Sequence, residues 1–80
     1  MAVLRLFAAA REAAGKGRDD VPGDTVDAVL AEALARYPAA FAAVLPTCRV
    51  WVNGEPVAGS TPVDAHDEIA VLPPVSGGTG

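Results

Sequence analysis

Residues 73–80, Pro-Pro-Val-Ser-Gly-Gly-Thr-Gly, have the composition of a segment that could work inside another protein's active site. Two adjacent prolines favour an extended, polyproline-like backbone without internal hydrogen bonds. The following glycines carry no Cβ atom, so their backbone can pass through a channel too narrow for other residues. Extended chain from Pro73 to Gly78 would reach roughly 20 Å. These eight residues alone are equally consistent with a C-terminus that enters a partner's active site and with an ordinary frayed, glycine-rich terminus.

Period-two alternation of apolar residues predicts the strands that would hold this segment. The last predicted strand runs directly into the C-terminal prolines. Asn53-Gly54 is a strong hairpin signal between the third and fourth strands, and residues 9–17 are predicted to form a turn. The predicted strands cover residues 2–8, 18–21, 48–53, 56–58 and 68–72.

An amphipathic helix is predicted over residues 25–37, between the second and third strands. Asp24 or Thr25 is expected to cap its N-terminus, and Pro38 prevents its continuation. Residues 39–45 would add a short turn of helix with Phe41 in the core. The helical apolar stripe consists of Val26, Val29, Leu30, Ala33, Leu34 and Tyr37.

This order of elements predicts an α+β fold with a mixed sheet over one main helix. A helix with one apolar stripe needs one sheet face to cover it, and the order β-β-α-β-β-β supplies that face. A length of 80 residues suffices for one small domain. We therefore expect a folded domain over residues 1–72 and a flexible tail over residues 73–80. Because 17 residues are alanines, which bury little area, modest stability is expected.

Charge and composition argue against several classes of function. The net charge of −4, without a basic run, argues against nucleic-acid binding. No apolar run approaches membrane length and no targeting segment is recognisable, so a cytoplasmic location is expected. The only cysteine, Cys48, fits a reducing compartment and is expected to be a small hydrophobe rather than a nucleophile. The only histidine, His66, has no second His or Cys at ligand spacing, so no metal site is predicted.

The outer face of the predicted sheet carries large apolar side chains. If the strands bury alternate residues against the helix, then Phe7, Trp51 and Leu72 point away from it. Three such groups suggest a partner-binding patch beside the root of the tail, whereas scattered exposed hydrophobes are the ordinary alternative. Three arginines would either rim this patch or remain solvated: Arg5, Arg11 and Arg49.

Five short segments form a pattern that extends along nearly the whole chain. They are Leu6-Phe7-Ala8 followed by Arg11-Glu12 and Gly15, Asp24-Thr25-Val26, Ala35-Arg36-Tyr37-Pro38, Val52-Asn53-Gly54-Glu55, and residues 67–78. The last segment, an acidic pair and a strand followed by Pro-Pro-Val-Ser-Gly-Gly, is the most specific. In these segments the chain resembles the MoaD/ThiS family of ubiquitin-like sulfur carriers, and most of all MoaD, the small subunit of molybdopterin synthase. The resemblance implies a β-grasp fold.

The resemblance also implies a carrier whose working group is a C-terminal glycine. In this family an ATP-using enzyme related to ubiquitin activators adenylates the terminal carboxylate, and sulfur then replaces AMP to leave a thiocarboxylate. Gly78 would be the reactive terminus with Gly77 before it, and Pro73, Pro74 and Val75 would contact the partner. The large subunit of molybdopterin synthase would accept the sulfur. The carrier itself would bind no cofactor and supply no general acid or base.

One departure from the family pattern lies at the terminus. The family ends at Gly-Gly, whereas Thr79-Gly80 follows Gly78 in this sequence. Three explanations remain open: a protease removes the two residues, the partners accept Gly80 directly, or sulfur carriage has been lost. Trimming is the favoured one. Thiamine, cysteine, tRNA thiolation and natural-product pathways are alternative destinations for the sulfur, and a non-covalent interaction module is the alternative to carriage.

Overall fold

The structure is built on a five-stranded mixed sheet with helices packed on one face. The computed structural model describes residues 1–74. The strands are β1 (Ala2–Leu6), β2 (Arg18–Val21), β3 (Arg49–Val52), β4 (Glu55–Pro56) and β5 (Glu68–Leu72). The α-helices are α1 (Ala8–Ala14), α2 (Val26–Arg36) and α3 (Ala39–Val44), and a 3-10 turn spans Leu45–Thr47. No helix within the described residues is both long enough and apolar enough to cross a membrane.

The strand order is β2-β1-β5-β3-β4, which places β5 in the middle of the sheet. β1 and β5 run parallel, with Leu4 opposite Ile69, and every other neighbouring pair is antiparallel. The β3–β4 hairpin turns at Asn53 and Gly54, whose φ angles of 51° and 86° suit a two-residue type I′ turn. This arrangement confirms the predicted α+β, β-grasp fold with its mixed sheet.

The core lies between the sheet and the helices. Side chains on β1 and β5 alternate, so Leu4, Leu6, Ile69 and Val71 are buried against the helices. Val52 of β3 is buried and Val50 is half-buried on the same side. The helices contribute the buried side chains Val26, Val29, Ala33 and Phe41. Burial of this apolar surface is the main stabilising contribution to so small a domain.

Helix α2 is capped at its N-terminus from two directions. The Thr25 hydroxyl accepts a hydrogen bond from the Ala28 amide at 3.1 Å, so Thr25 is the N-cap residue. The amides of Val26 and Asp27 donate to the carbonyls of Thr61 and Gly59 in the β4–β5 loop, at 3.0 and 2.8 Å. The helix begins where the loop supplies acceptors for amides that have no partner inside the helix.

Gly23 allows the β2–α2 connection to pass directly over α2. Its φ angle is 151°, a conformation that residues with a side chain rarely adopt. A Cβ atom at this position would lie 2.6 Å from the backbone nitrogen of Val29. The connection therefore requires glycine both for its backbone conformation and for the close approach.

The prediction of a turn over residues 9–17 is wrong, because most of this segment forms helix α1. β1 correspondingly ends at Leu6 rather than at residue 8. Ala10 and Ala14 of α1 are buried, and the helix packs against α3 and against strands β1 and β5. The alanine-rich sequence favours helix intrinsically, and Gly15 ends it in a left-handed conformation with φ 84°.

Two smaller expectations also need correction. Leu34 was placed in the apolar stripe but is 41% exposed, and Leu30 is only half-buried. The fourth strand is Glu55–Pro56 rather than residues 56–58. Proline has no N–H group to donate, so this short edge strand cannot extend far.

Candidate docking surface at the root of the C-terminal tail

The central strand β5 leads directly to the C-terminal segment. Its neighbours reach to the same end, because Arg49 at the start of β3 lies opposite Leu72 and the Phe7 amide donates to the Val71 carbonyl at 3.3 Å. Pro73 is half-buried and Pro74 is exposed. The chain therefore leaves the sheet from its middle, with strands on both sides of the point of exit.

The apolar patch expected from the sequence is present on the outer face of the sheet. Phe7 is 38% exposed, and Trp51 and Leu72 are half-buried. Trp51 lies opposite Ala70 of β5, which is two residues before Leu72. Phe7 directly follows the last residue of β1, at the end of the sheet where the tail begins. The structure brings these three side chains to one face beside the root of the tail.

Arginines surround the apolar patch. The Arg5 guanidinium lies over the Phe7 ring, with 5.6 Å from its central carbon to the ring centroid. Arg5 also forms an exposed ion pair with Glu68 at 3.3 Å. Arg49 flanks Leu72 from β3, and Arg18 of β2 lies directly opposite Arg5. Arg18 was not among the expected rim residues, because its position on this face depends on the register between β1 and β2.

A second polar cluster lies on the helix side of β2. The Tyr37 hydroxyl donates to the Asp19 carboxylate at 2.8 Å, and Arg36 donates to the same oxygen at 3.3 Å. Burial raises the pKa of Asp19, but the hydrogen bond from Tyr37 and the charges of Lys16 and Arg36 outweigh it and lower the pKa overall. Burial of the Tyr37 hydroxyl, together with its hydrogen bond to the charged Asp19, raises the pKa of Tyr37. This cluster joins β2 to the C-terminus of α2.

The sequence profile of the ThiS family matches residues 4–78. The chain belongs to the ThiS family. The match spans the described fold and continues through both glycines of the Gly77-Gly78 pair. Val75, Gly77, Gly78, Thr79 and Gly80, on which the expected chemistry depends, lie outside the described residues.

Solved structures share the fold of this chain. SAMP1 from Haloferax volcanii is 37% identical, with a TM-score of 0.78 over 95% of this chain and 97% of that chain. A chain of the BexX/CysO complex of Amycolatopsis orientalis is 21% identical, with a TM-score of 0.81 over 98% and 100%. A putative molybdopterin converting factor, subunit 1, of Pyrococcus furiosus is 24% identical, with a TM-score of 0.79 over 92% and 97%. At their low identities the last two share the fold alone. No curated protein sequence matches the chain significantly.

Other residues with reactive side chains have local structural partners. The Cys48 thiol donates to the Val44 carbonyl at 3.3 Å, and burial raises the pKa of this thiol, which disfavours the nucleophilic thiolate. His66 lies in a turn, where its amide donates to the Asp64 carboxylate at 2.8 Å. Among the described residues, no three His, Cys, Asp or Glu side chains are grouped so that they could hold a metal ion.

Proposed function

We propose that this ThiS-family protein is a sulfur carrier that works in the cytoplasm and delivers sulfur for molybdopterin, hence molybdenum cofactor, biosynthesis. The observation that carries the proposal is the ThiS-family match through Gly78, together with a central strand that leads to this segment. The patch of Phe7, Trp51 and Leu72 would dock the partner enzymes, with Pro73, Pro74 and Val75 entering beside it. The partners would be an adenylating enzyme related to ubiquitin activators and the large subunit of molybdopterin synthase.

The chemistry follows from the properties of a C-terminal carboxylate. With a pKa near 3.5 it is ionised at neutral pH and is a poor electrophile. Attack of its oxygen on the α-phosphate of ATP, bound by the partner enzyme, would release pyrophosphate and give an acyl adenylate. Hydrosulfide, released by a sulfur donor, would then attack the carbonyl carbon and displace AMP, and loss of its proton would leave a thiocarboxylate. The carrier itself would supply the tail and the docking surface, and the partners would supply the acid and base groups.

Gly78 is proposed as the reactive terminus after removal of Thr79-Gly80. The ThiS-family match stops at Gly78, which supports this choice. While Thr79 is attached, the Gly78 carbonyl is part of an amide and offers no carboxylate to ATP. The β-branched side chain of Thr79 would also widen a segment that glycines keep narrow. If the partners accept the untrimmed chain, Gly80 would be the reactive residue instead.

A second candidate function is conjugation to proteins. The 37% identical SAMP1 is named a small archaeal modifier protein, and that name supports this alternative. Both functions would begin with the same acyl adenylate and would diverge when either sulfur or a lysine amine attacks it. A pathway other than molybdopterin, for thiamine, cysteine, tRNA thiolation or a natural product, is the alternative destination of the sulfur.

The proposed function is tested by measuring intact mass after incubation with purified activating enzyme, ATP and a sulfur donor. Two lengths of the chain are compared, ending at Gly78 and at Gly80. We expect an oxygen-to-sulfur exchange on the shorter form only. The matched control is Gly78→Ala in the shorter form, which should retain its fold and lose the reaction, because the tail lies beyond the core strands.

Each other result leads to a different conclusion. Sulfur on the intact Gly80 form at a comparable rate would contradict trimming and make Gly80 the carrier residue. Sulfur on neither length, with several activating enzymes, would contradict carriage and favour a non-covalent module. If thiolation occurs, incubation of the product with the molybdopterin synthase large subunit and its pterin substrate tests the destination. Transfer to protein lysines in a cell extract would instead favour the modifier function.

A further inference from the structure

The basic residues of this acidic protein are concentrated at the end of the sheet from which the tail leaves. Arg5 and Arg18 lie opposite each other near the ends of β1 and β2, and Arg49 lies opposite Leu72. We use the term basic collar for the five of the six basic residues found at this end: Arg5, Arg11, Lys16, Arg18 and Arg49.

The α1–β2 connection brings the other two collar residues to the same end. The Gly17 carbonyl accepts a hydrogen bond from the Leu6 amide at 3.0 Å, so this connection lies beside the last residue of β1. The Arg11 side chain lies against Gly17, where an added Cβ would be 3.2 Å from its Nε atom. Lys16 directly precedes Gly17 in the chain. Because Leu6 lies opposite Val71, this connection is near the root of the tail, although the Lys16 ammonium is directed towards Asp19 on the helix side.

Acidic residues dominate the opposite end of the sheet. On the outer face, Asp20 and Glu68 lie on either side of Val3, at the far end of β1 from the tail. Asp64 and Asp67 are in the turn that leads into β5 at that same end. Glu12 on α1 and Glu32, which pairs with Arg36 on α2, are exceptions, and Asp19 faces the helices rather than the outer surface. A net charge of −4 therefore conceals a domain that is positive at its tail end and negative at the other.

The collar is poorly neutralised within the fold. Among residues 1–74, Arg11, Arg18 and Arg49 take part in no ion pair, although acidic residues outnumber basic ones in the chain. Lys16 lies a long 3.9 Å from Asp19. The register also places Arg18 directly opposite Arg5, and like charges in this position destabilise a sheet. Arg5 is paired with Glu68, whereas the charges of Arg11, Arg18 and Arg49 contribute no ion pair within the described residues and are available to a partner.

We infer that the basic collar binds an acidic rim around the tail-receiving opening of the adenylating enzyme, with the apolar patch inserted at its centre. This inference rests on the proposed function and adds the chemistry of the partner surface. An apolar centre with charged groups at its edge is the usual composition of a protein–protein interface. The polarised charge would also orient the carrier as it approaches, because the positive end is attracted and the negative end repelled. The tail would therefore arrive first.

Nucleic acid is a weaker match to the same charges. A polyphosphate presents a long, uniformly negative surface, and it would be repelled by the acidic end of a domain only 36 Å in its longest dimension. A protein surface can place carboxylates opposite the collar alone. The charge distribution therefore favours a localised acidic protein rim.

The test is the association rate of the form ending at Gly78 with the activating enzyme, measured by biolayer interferometry at several salt concentrations. The collar variant combines Arg18→Gln with Arg49→Gln. The matched control combines Ser60→Glu with Ala65→Glu, which lowers the net charge by the same amount at exposed positions away from the collar. Thermal unfolding of all three proteins establishes that they are folded.

We expect the collar variant to associate about 3–10-fold more slowly than wild type at low salt, and the difference to shrink as salt rises to about 0.5 M. The control should match wild type within about twofold at each salt concentration. Equal slowing of both variants would show that net charge, rather than the collar, controls the association rate. Unchanged rates in a carrier that is still adenylated would overturn the collar and leave the proposed function standing. Failure of the enzyme to adenylate wild type would contradict both the proposed function and the collar. Tight binding of duplex DNA at physiological salt would contradict the inference that the collar binds an acidic protein surface.

Discussion

Arg5 and Arg18 face each other across β1 and β2, so replacing Arg18 by Glu should stabilise the domain. The Leu6 amide bonds to the Gly17 carbonyl, which makes the next pair, Arg5 and Arg18, a non-hydrogen-bonded pair. Side chains approach most closely in such pairs. Changing a like-charge pair to an opposite-charge pair contributes roughly 0.2–1 kcal/mol in an antiparallel sheet. In a domain of this size that corresponds to a rise in Tm of roughly 1–8 °C.

Thermal unfolding followed by circular dichroism at low and high salt measures this effect. The gain should be largest at low salt and decrease as the exposed charges are screened. Arg49→Glu is the matched control, because it changes the net charge equally while its cross-strand partner is the uncharged Leu72. A Tm for Arg18→Glu that is unchanged or lower at low salt, or a gain of equal size in the control, would refute the reasoning. The same substitution should slow partner association, so a binding residue would be shown to reduce stability.

Three further predictions concern the fold that supports the docking surface. Leu30→Ala should lower the free energy of unfolding by roughly 1–2.5 kcal/mol in a urea titration, because the side chain is only half-buried, whereas the cost of Leu34→Ala should stay below about 1 kcal/mol. Tyr37→Phe should cost about 1–3 kcal/mol near pH 7, since it removes a hydrogen bond to the charged Asp19. Because the folded pKa of Asp19 is lowered, this stabilisation is present above its unfolded pKa of 3.8 and is lost as pH falls through the lower folded value; unfolding curves of wild type and variant that fail to converge in acid would contradict this assignment. Gly23→Ala should destabilise by more than about 2 kcal/mol, and a near-wild-type Tm would show that the close approach to α2 is absent.

The strands and the main helix could be predicted from local patterns. β5 has the predicted bounds, residues 68–72, because an uninterrupted apolar run follows Glu68 and prolines end it. The main helix was predicted over residues 25–37 and is observed at Val26–Arg36, because Thr25 and Pro38 are strong boundary signals. The outward placement of Phe7, Trp51 and Leu72 followed from the same period of two.

Features that depend on tertiary contacts were missed. Helix α1 is only seven residues long and carries an alanine face rather than a stripe of large apolar residues, so periodicity did not distinguish it from a turn. Leu34 lies eight residues after the buried Val26 and four after the half-buried Leu30, yet it is at the side of the stripe and is exposed. The opposition of Arg5 and Arg18 requires the register of two strands, which no local pattern specifies.

The central position of β5 links folding of the domain to presentation of its working end. Its partner β1 lies almost the whole length of the chain away, so β1 and β5 cannot pair until synthesis has passed Leu72. Until then β1 and β3 lack the strand that separates them, and neither Phe7 nor Trp51 has its neighbour on the outer face. An unfolded copy thus has the tail sequence without the surface that guides it, and partner enzymes that recognise both would not bind it. Under the proposed function, completion of the sheet would restrict activation to folded copies.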